Sequence, residues 1–298
     1  ESTKMNDLKK TMTRIRLLTL GALVLVVLAY FSPIWWVSLT APNYPKDAFP
    51  DGIRIHFHFN GVFNGCKTEI VTMGRQAELM QSDLGDDLAA RENPALDLKK
   101  QQLGLDCVDE MNTINHYVGM YPIATGAPVE VPMSKFIIAM FSVMMLAFMV
   151  TQRKMQILIM SVGFTALSAW MVIDLFVMGH LNSFADHYYN EASTFFNQPE
   201  VLARWVANLK MATMAAVGGL MASMLILILG VWKIRPFVLL LALVPALLPV
   251  FFVLDYAGWL WFFGHNLHPW GAFTVKPFMP TVFGEGKVAQ FATYSYPY

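Results

Sequence analysis

The chain holds seven histidines, two cysteines and twenty methionines, and several of them recur at spacings short enough to act together. The stretch Ile53-Arg54-Ile55-His56-Phe57-His58-Phe59 alternates apolar and polar residues. As a strand it places Arg54, His56 and His58 on one face. Same-face neighbours lie about 7 Å apart, so the two imidazoles could share a metal ion. The plainer alternative is a half-buried strand with a solvated polar face. Residues 96–121 read as a helix running into a turn. Cys107 and Met111 are four apart there, as are His116 and Met120, and each pair could share a helix face. The two pairs are offset by about two and a half turns, so a continuous helix sets them nearly opposite each other. They can meet at one ion only if the helix breaks between them. Thiolate, thioether and imidazole together suit copper, above all Cu(I). Equally, Cys66 and Cys107 are the chain's two cysteines, and in an oxidising compartment they pair most simply as a disulfide, leaving the methionines to packing.

Two carboxylates stand in apolar surroundings, Asp174 and Asp255. Such acids are costly in a bilayer and usually face a protein interior or cavity. His180 follows the first, and His265 and His268 follow the second. A polar cluster of Asp174, His180, Asp255, His265 and His268 is therefore expected near one surface, where it binds metal, carries protons or ties helices together. Methionines inside apolar runs, such as Met140, Met144, Met145 and Met149, read as core filler.

The elements that must position these residues are apolar helices. The chain has 298 residues, 56% hydrophobic and only 14% charged, with a mean hydropathy of +0.46. The formal net charge is zero, so no field favours nucleic acid. The expected architecture is an all-α membrane protein of about five transmembrane helices, with a small mixed α/β periplasmic domain inserted after the first helix. Residues 1–16 are a basic N-terminus. Residues 17–37 form the first span, ending in the interfacial pair Trp35 and Trp36, and read as an anchor rather than a removed signal peptide. Residues 38–132 form the periplasmic domain and 134–263 a four-helix transmembrane bundle, with Ser134 as a helix cap. Within it 179–207 reads as a loop, Pro245 and Pro249 should kink the last span, and Gly218-Gly219 permits close helix approach. Residues 264–298 read as an irregular periplasmic tail.

The N-terminus, the turn at Arg153-Lys154 and the turn at Lys233–Arg235 are short and basic. Five spans put all three on one side, which the positive-inside rule makes cytoplasmic. The expected location is a bacterial inner membrane, crossed several times.

Three pieces carry a resemblance: Ala41-Pro42-Asn43-Tyr44-Pro45; Ile114-Asn115-His116-Tyr117-Val118-Gly119-Met120; and Gly264-His265-Asn266-Leu267-His268-Pro269, followed by Lys276-Pro277-Phe278 and Phe291-Ala292-Thr293-Tyr294-Ser295-Tyr296-Pro297. In order and placement the chain resembles a bacterial family of polytopic membrane proteins often encoded beside nitrous-oxide reductase and its copper-maturation genes. His268 stands where that family usually has an acid. The resemblance implies an accessory protein that handles copper on the periplasmic face for a copper oxidoreductase, with His116, Met120 and His265 as ligands. The alternative is a non-catalytic structural subunit of a membrane redox or monooxygenase complex. Either way the partners are the lipid bilayer and other membrane or periplasmic subunits. No nucleophile–base pair, zinc-protease motif or dinucleotide fingerprint is present, so no catalytic activity of its own is expected.

Overall fold

The computed structural model describes residues 2–44, 46, 48–66, 68–70, 102–104, 106–122, 126–195, 198–269, 271–272, 275–288 and 290–298. The chain is mostly helical with a small antiparallel sheet. Four helices are long and apolar enough to cross a membrane: α1 (Ser2–Phe31, apolar from Lys10), α3 (Glu130–Phe148), α4 (Arg153–Ile173, continued by a π-helical turn Asp174–Met178) and α6 (Pro199–Lys233). After a 3-10 turn (Arg235–Leu239), α7 (Leu240–Ala246) and α8 (Leu248–His265) make a fifth such span if counted together. They bend by 55° at a break between Pro245 and Pro249, where prolines withhold backbone N–H donors.

One end of the bundle gathers the basic residues. Arg16 Nε donates to the Met149 carbonyl at 3.1 Å, Arg153 Nε to Val231 O at 2.8 Å, and Arg153 to Trp232 O at 2.6 Å. These bonds satisfy helix-terminal carbonyls that have no intrahelical partner. They also fasten α1 at Arg16, midway along it, to the α3–α4 turn, and that turn to the end of α6. Packing between α3, α4 and α6 is built on Phe136, Met144, Met160, Phe164, Met171 and Met224, all fully buried. Close approach occurs at Gly163, where an added Cβ would lie 2.7 Å from Val143. At Gly218 and Gly219 an added Cβ meets nothing within 4 Å, so the expected contact there is absent.

At the opposite end sits a five-stranded antiparallel sheet of order β3-β2-β1-β7-β6. Its strands are β1 (Trp35–Thr40), β2 (Ile53–His58), β3 (Gly61–Asn64), β6 (Gly284–Val288) and β7 (Phe291–Pro297), while β4 (Thr68–Ile70) pairs separately with β5 (Gln102–Gly104). Three expectations change here. The first helix ends at Phe31, because Pro33 cannot continue it, and Trp35 and Trp36 belong to β1 rather than to an interfacial helix end. The C-terminal segment is not irregular, since β6 and β7 come from it and β7 pairs with β1. The sheet is thus shared between the insert after α1 and the chain's last residues. The segment 179–207 is not a loop either. It holds α5 (His180–Phe195) and the first turns of α6, whose Pro199 and Glu200 suit a helix start. Helix α5 buries Leu181, Ala185, Tyr188 and Ala192 along one stripe.

Helix α2 (Cys107–Val118) packs under the sheet. Asp106 caps it, accepting from the Val108 and Asp109 amides, and Gly119 ends it in the left-handed conformation at φ 90°. The expected helix at 96–121 is observed only from Cys107: Gln102–Gly104 is strand β5 instead, paired with β4, and 96–101 lie outside the described residues. Ser134 does not cap α3. It lies within the helix and donates to Val131 O at 2.6 Å.

Candidate functional site

A cavity of about 360 Å³ lies where β2 and β3 meet α3 and α8. Helix periodicity builds two of its walls. Glu130, Val131, Ser134, Ile138 and Phe141 share one face of α3, and Phe252, Asp255, Tyr256 and Trp259 share one face of α8. Phe57 and His58 from β2 and the following Phe59 close it on the sheet side. Glu130 and Asp255 both line this cavity, and the Trp259 indole donates to Glu130 Oε2 at 2.9 Å. Asp255 stands ten residues before the end of α8, about 15 Å along its axis. It is therefore level with the first turn of α3, and the upper half of α8 stands among the sheet residues. Tyr256 anchors that half. Its ring lies 5.7 Å from Trp35 and 5.3 Å from Phe57, and parallel to Phe252.

The structure divides the expected polar cluster into separate sites. Asp174 is buried against Lys135, whose ammonium donates to Oδ1 at 3.0 Å, with His180 Nδ1 3.3 Å from the same oxygen. Asp255 lines the cavity with Glu130 instead. His265 is exposed, stacked on Trp261 and bonded to its carbonyl. His268 lies with its ring edge on Tyr121 at 4.4 Å. Burial pushes the His268 imidazole down to about 4 and the Tyr121 phenol up to about 12, so both are neutral at pH 7.

Two of the resemblance motifs meet in space. The His268 amide donates to Gly119 O at 2.8 Å, and the Met120 amide donates to Asn115 O at 2.8 Å. A Cβ on Gly119 would sit 2.5 Å from His268 O, and one on Gly271 would sit 2.9 Å from the Gly119 nitrogen. Ile114–Met120 and Gly264–Pro269 therefore interlock as backbone joints between α2 and the end of α8.

The expected metal ligands are distributed as follows. Cys66 and Cys107 form a disulfide, with Cα atoms 5.8 Å apart, so Cys107 offers no thiolate and is withdrawn as a ligand. His56 and His58 do share one sheet face, but each has a partner of its own. The Tyr298 hydroxyl lies 2.5 Å from His56 Nδ1, and His58 bonds the Phe31 backbone. Burial lowers both pKa values, with Arg54 adding to the effect at His56. His116 lies in the last turn of α2 and Met120 beyond its cap, so they do not share a helix face. The break at Gly119 instead brings Met120 to the same small cavity, about 80 Å³, as Met111 and Asn115. Among the described residues no three His, Cys, Asp or Glu side chains are grouped to hold a metal ion.

Glu130, Lys135 and Trp259 had not been expected at any site. Glu130 and Lys135 flank the start of an apolar run, where a charge otherwise reads as a helix end. No protein-family model, no curated protein and no solved structure matches the chain.

Proposed function

We propose that this chain is a multi-pass membrane protein, with its basic end cytoplasmic and its sheet domain periplasmic, that serves as a non-catalytic subunit docking onto a larger membrane redox assembly. The membrane reading rests on the apolar helices and on the three basic segments fastened at one end. The docking reading is carried by the outward face of the sheet. Register places Trp36 between His56 and Tyr296. Their neighbours continue the row: Phe63 beside His58, Phe283 beside Tyr296, and the Arg54 guanidinium 4.2 Å over Trp36. Aromatic rings with an interleaved arginine are the composition of a protein interface, and the partner is another subunit's periplasmic domain.

The test compares wild type with Trp36→Ser/Tyr296→Ser, each isolated from native membranes in mild detergent. A stoichiometric partner lost in the variant, with the Cys66–Cys107 bridge and thermal midpoint retained, supports docking. A monodisperse wild-type chain without a partner overturns it. Reporter fusions after Phe31 and at Tyr298 test the orientation, and cytoplasmic fusions would reverse it.

Copper handling remains the second reading, favoured by Met111 and Met120 lining one cavity. Two thioethers suit Cu(I), and the Asn115 amide lines the same cavity together with Thr281 and Thr293. Chain purified from copper-replete cells should then hold stoichiometric copper that Met111→Leu/Met120→Leu loses and His116→Ala keeps. Copper-free wild type excludes this reading.

A further inference from the structure

The cavity that holds Glu130 and Asp255 lies beside a second, larger groove. This groove, about 760 Å³, runs between α1 and the bent α7–α8 pair. The two volumes share Phe59, Leu248 and Phe252. The groove is lined by α1 residues such as Leu18, Ala22 and Leu25 and by Ala242, Pro245 and Pro249 across from them, with no charged side chain among its described residues. An apolar groove at the level of the helices thus adjoins a small chamber with two carboxyl groups in its lining.

We infer that the chamber and groove together form a binding site for a long-tailed membrane quinol or quinone, its ring against Glu130 and Asp255 and its tail along α1. The inference rests on the reading that the chain spans a membrane. Four observations carry it. The chamber has the volume of a small-molecule site. Its walls include Phe57, Phe252 and Tyr256, whose flat faces suit a ring. Two carboxyl groups, Glu130 and Asp255, stand in its otherwise largely apolar lining, where carboxyl oxygens can accept from the hydroxyl groups of such a ring. Among the described lining residues there is no Lys or Arg, so a phospholipid phosphate would lie against two carboxyl groups with no cation to offset it. Trp259, also in the chamber wall, holds Glu130 in place through its indole N–H.

The experiment is equilibrium binding of decylubiquinone to the full chain in detergent, read by quenching of intrinsic tryptophan fluorescence. Saturable quenching is expected, weakened at least tenfold by Asp255→Asn and by Ala127→Phe, which fills the chamber. Phe176→Ala, on the exposed face of the π turn, should bind as wild type does. The disulfide and thermal midpoint certify that each variant is folded. Quenching that stays linear, or is equal in all variants, reports partition into detergent and overturns the site. Displacement by dodecyltrimethylammonium at equal or lower concentration assigns the chamber to organic cations and also overturns it. Displacement by phosphatidylglycerol overturns it in favour of lipid. Because the assay uses soluble micelles, its failure is independent of the topology fusions that test the membrane reading.

Discussion

The Trp35 indole donates to the hydroxyl of Ser295 at 2.8 Å, across 260 residues of sequence. The Ser295 hydroxyl in turn donates to Val282 O at 2.7 Å, and Ser295 is fully buried. One short chain of bonds therefore ties the strand that follows the first helix to the strand that closes the chain. Ser295→Ala leaves the indole N–H buried without an acceptor and should cost about 1–3 kcal/mol. Trp35→Phe leaves no orphaned donor but forfeits ring contacts with Tyr256 and Phe252. Thermal unfolding followed by near-UV circular dichroism should show both variants destabilised. An unchanged midpoint for Ser295→Ala would mean that this bond contributes nothing.

How far the sequence foretold this arrangement depended on whether the information was local. Period-two alternation at 53–58 placed Ile53, Ile55 and Phe57 inward, because side-chain direction along a strand needs no partner to be read. The basic turns were equally plain. Strand β1 was not, since Trp35-Trp36-Val37 continues an uninterrupted apolar run and tryptophans suit a membrane interface. Only Pro33 hinted at the break. Strand β7 alternates too, but its pairing with β1 is a long-range event that periodicity cannot specify. The cavity shared by Glu130 and Asp255 was hidden for the same reason, as each acid looked solitary in its own helix.

The disulfide closes a loop between residues 41 apart in sequence. By chain-entropy reasoning such a bridge stabilises by about 2–4 kcal/mol. Cys66→Ser/Cys107→Ser should lower the thermal midpoint, and reduction of the wild type should do the same. Intact-mass measurement with and without reductant checks the bond directly. A wild-type mass with two free thiols would remove the prediction and return Cys107 to the ligand candidates.

Lys135 and Asp174 face each other between α3 and the end of α4, with side chains 32% and 2% exposed. Removing one member leaves the other charge poorly compensated, which costs about 3–5 kcal/mol in a fully buried pair. Because Lys135 is a third exposed, Lys135→Met should cost less than that, about 2–3 kcal/mol. The double variant Lys135→Met/Asp174→Leu should regain most of the loss. Detergent-solubilised thermal midpoints for the three proteins form the comparison, and a double variant worse than the single would show that the pair does more than neutralise itself.

His268 makes stability pH-dependent. Its folded-state pKa of about 4 lies below the ordinary value of about 6.5. The unfolded chain therefore takes up a proton first as pH falls. The contribution of His268 is fully present above pH 6.5 and is lost progressively from there to about pH 4. His56 and His58 shift in the same direction, so the wild type should soften over this range. His268→Asn should flatten part of the slope, measured as thermal midpoint against pH. A variant whose profile overlays the wild type would place the protons elsewhere.

Gly119 joins the two interlocked motifs, and it does so on two counts. Its φ of 90° is a left-handed conformation that a side chain disfavours, and a Cβ would press on His268 O at 2.5 Å. Gly119→Ala should therefore strain the α2 cap and break the His268 amide bond to Gly119 O together. The expected cost exceeds the roughly 1 kcal/mol of the conformational term alone, and the C-terminal strands should become protease-sensitive. Gly218→Ala is the matched control, with helical backbone and open space around the added methyl, and should be neutral or slightly stabilising. The contrast separates a joint from a filler glycine. If Gly119→Ala kept the proteolysis pattern of wild type, Ile114–Met120 would owe its sequence to something other than this joint, and ligand binding by His116 and Met120 would regain its claim.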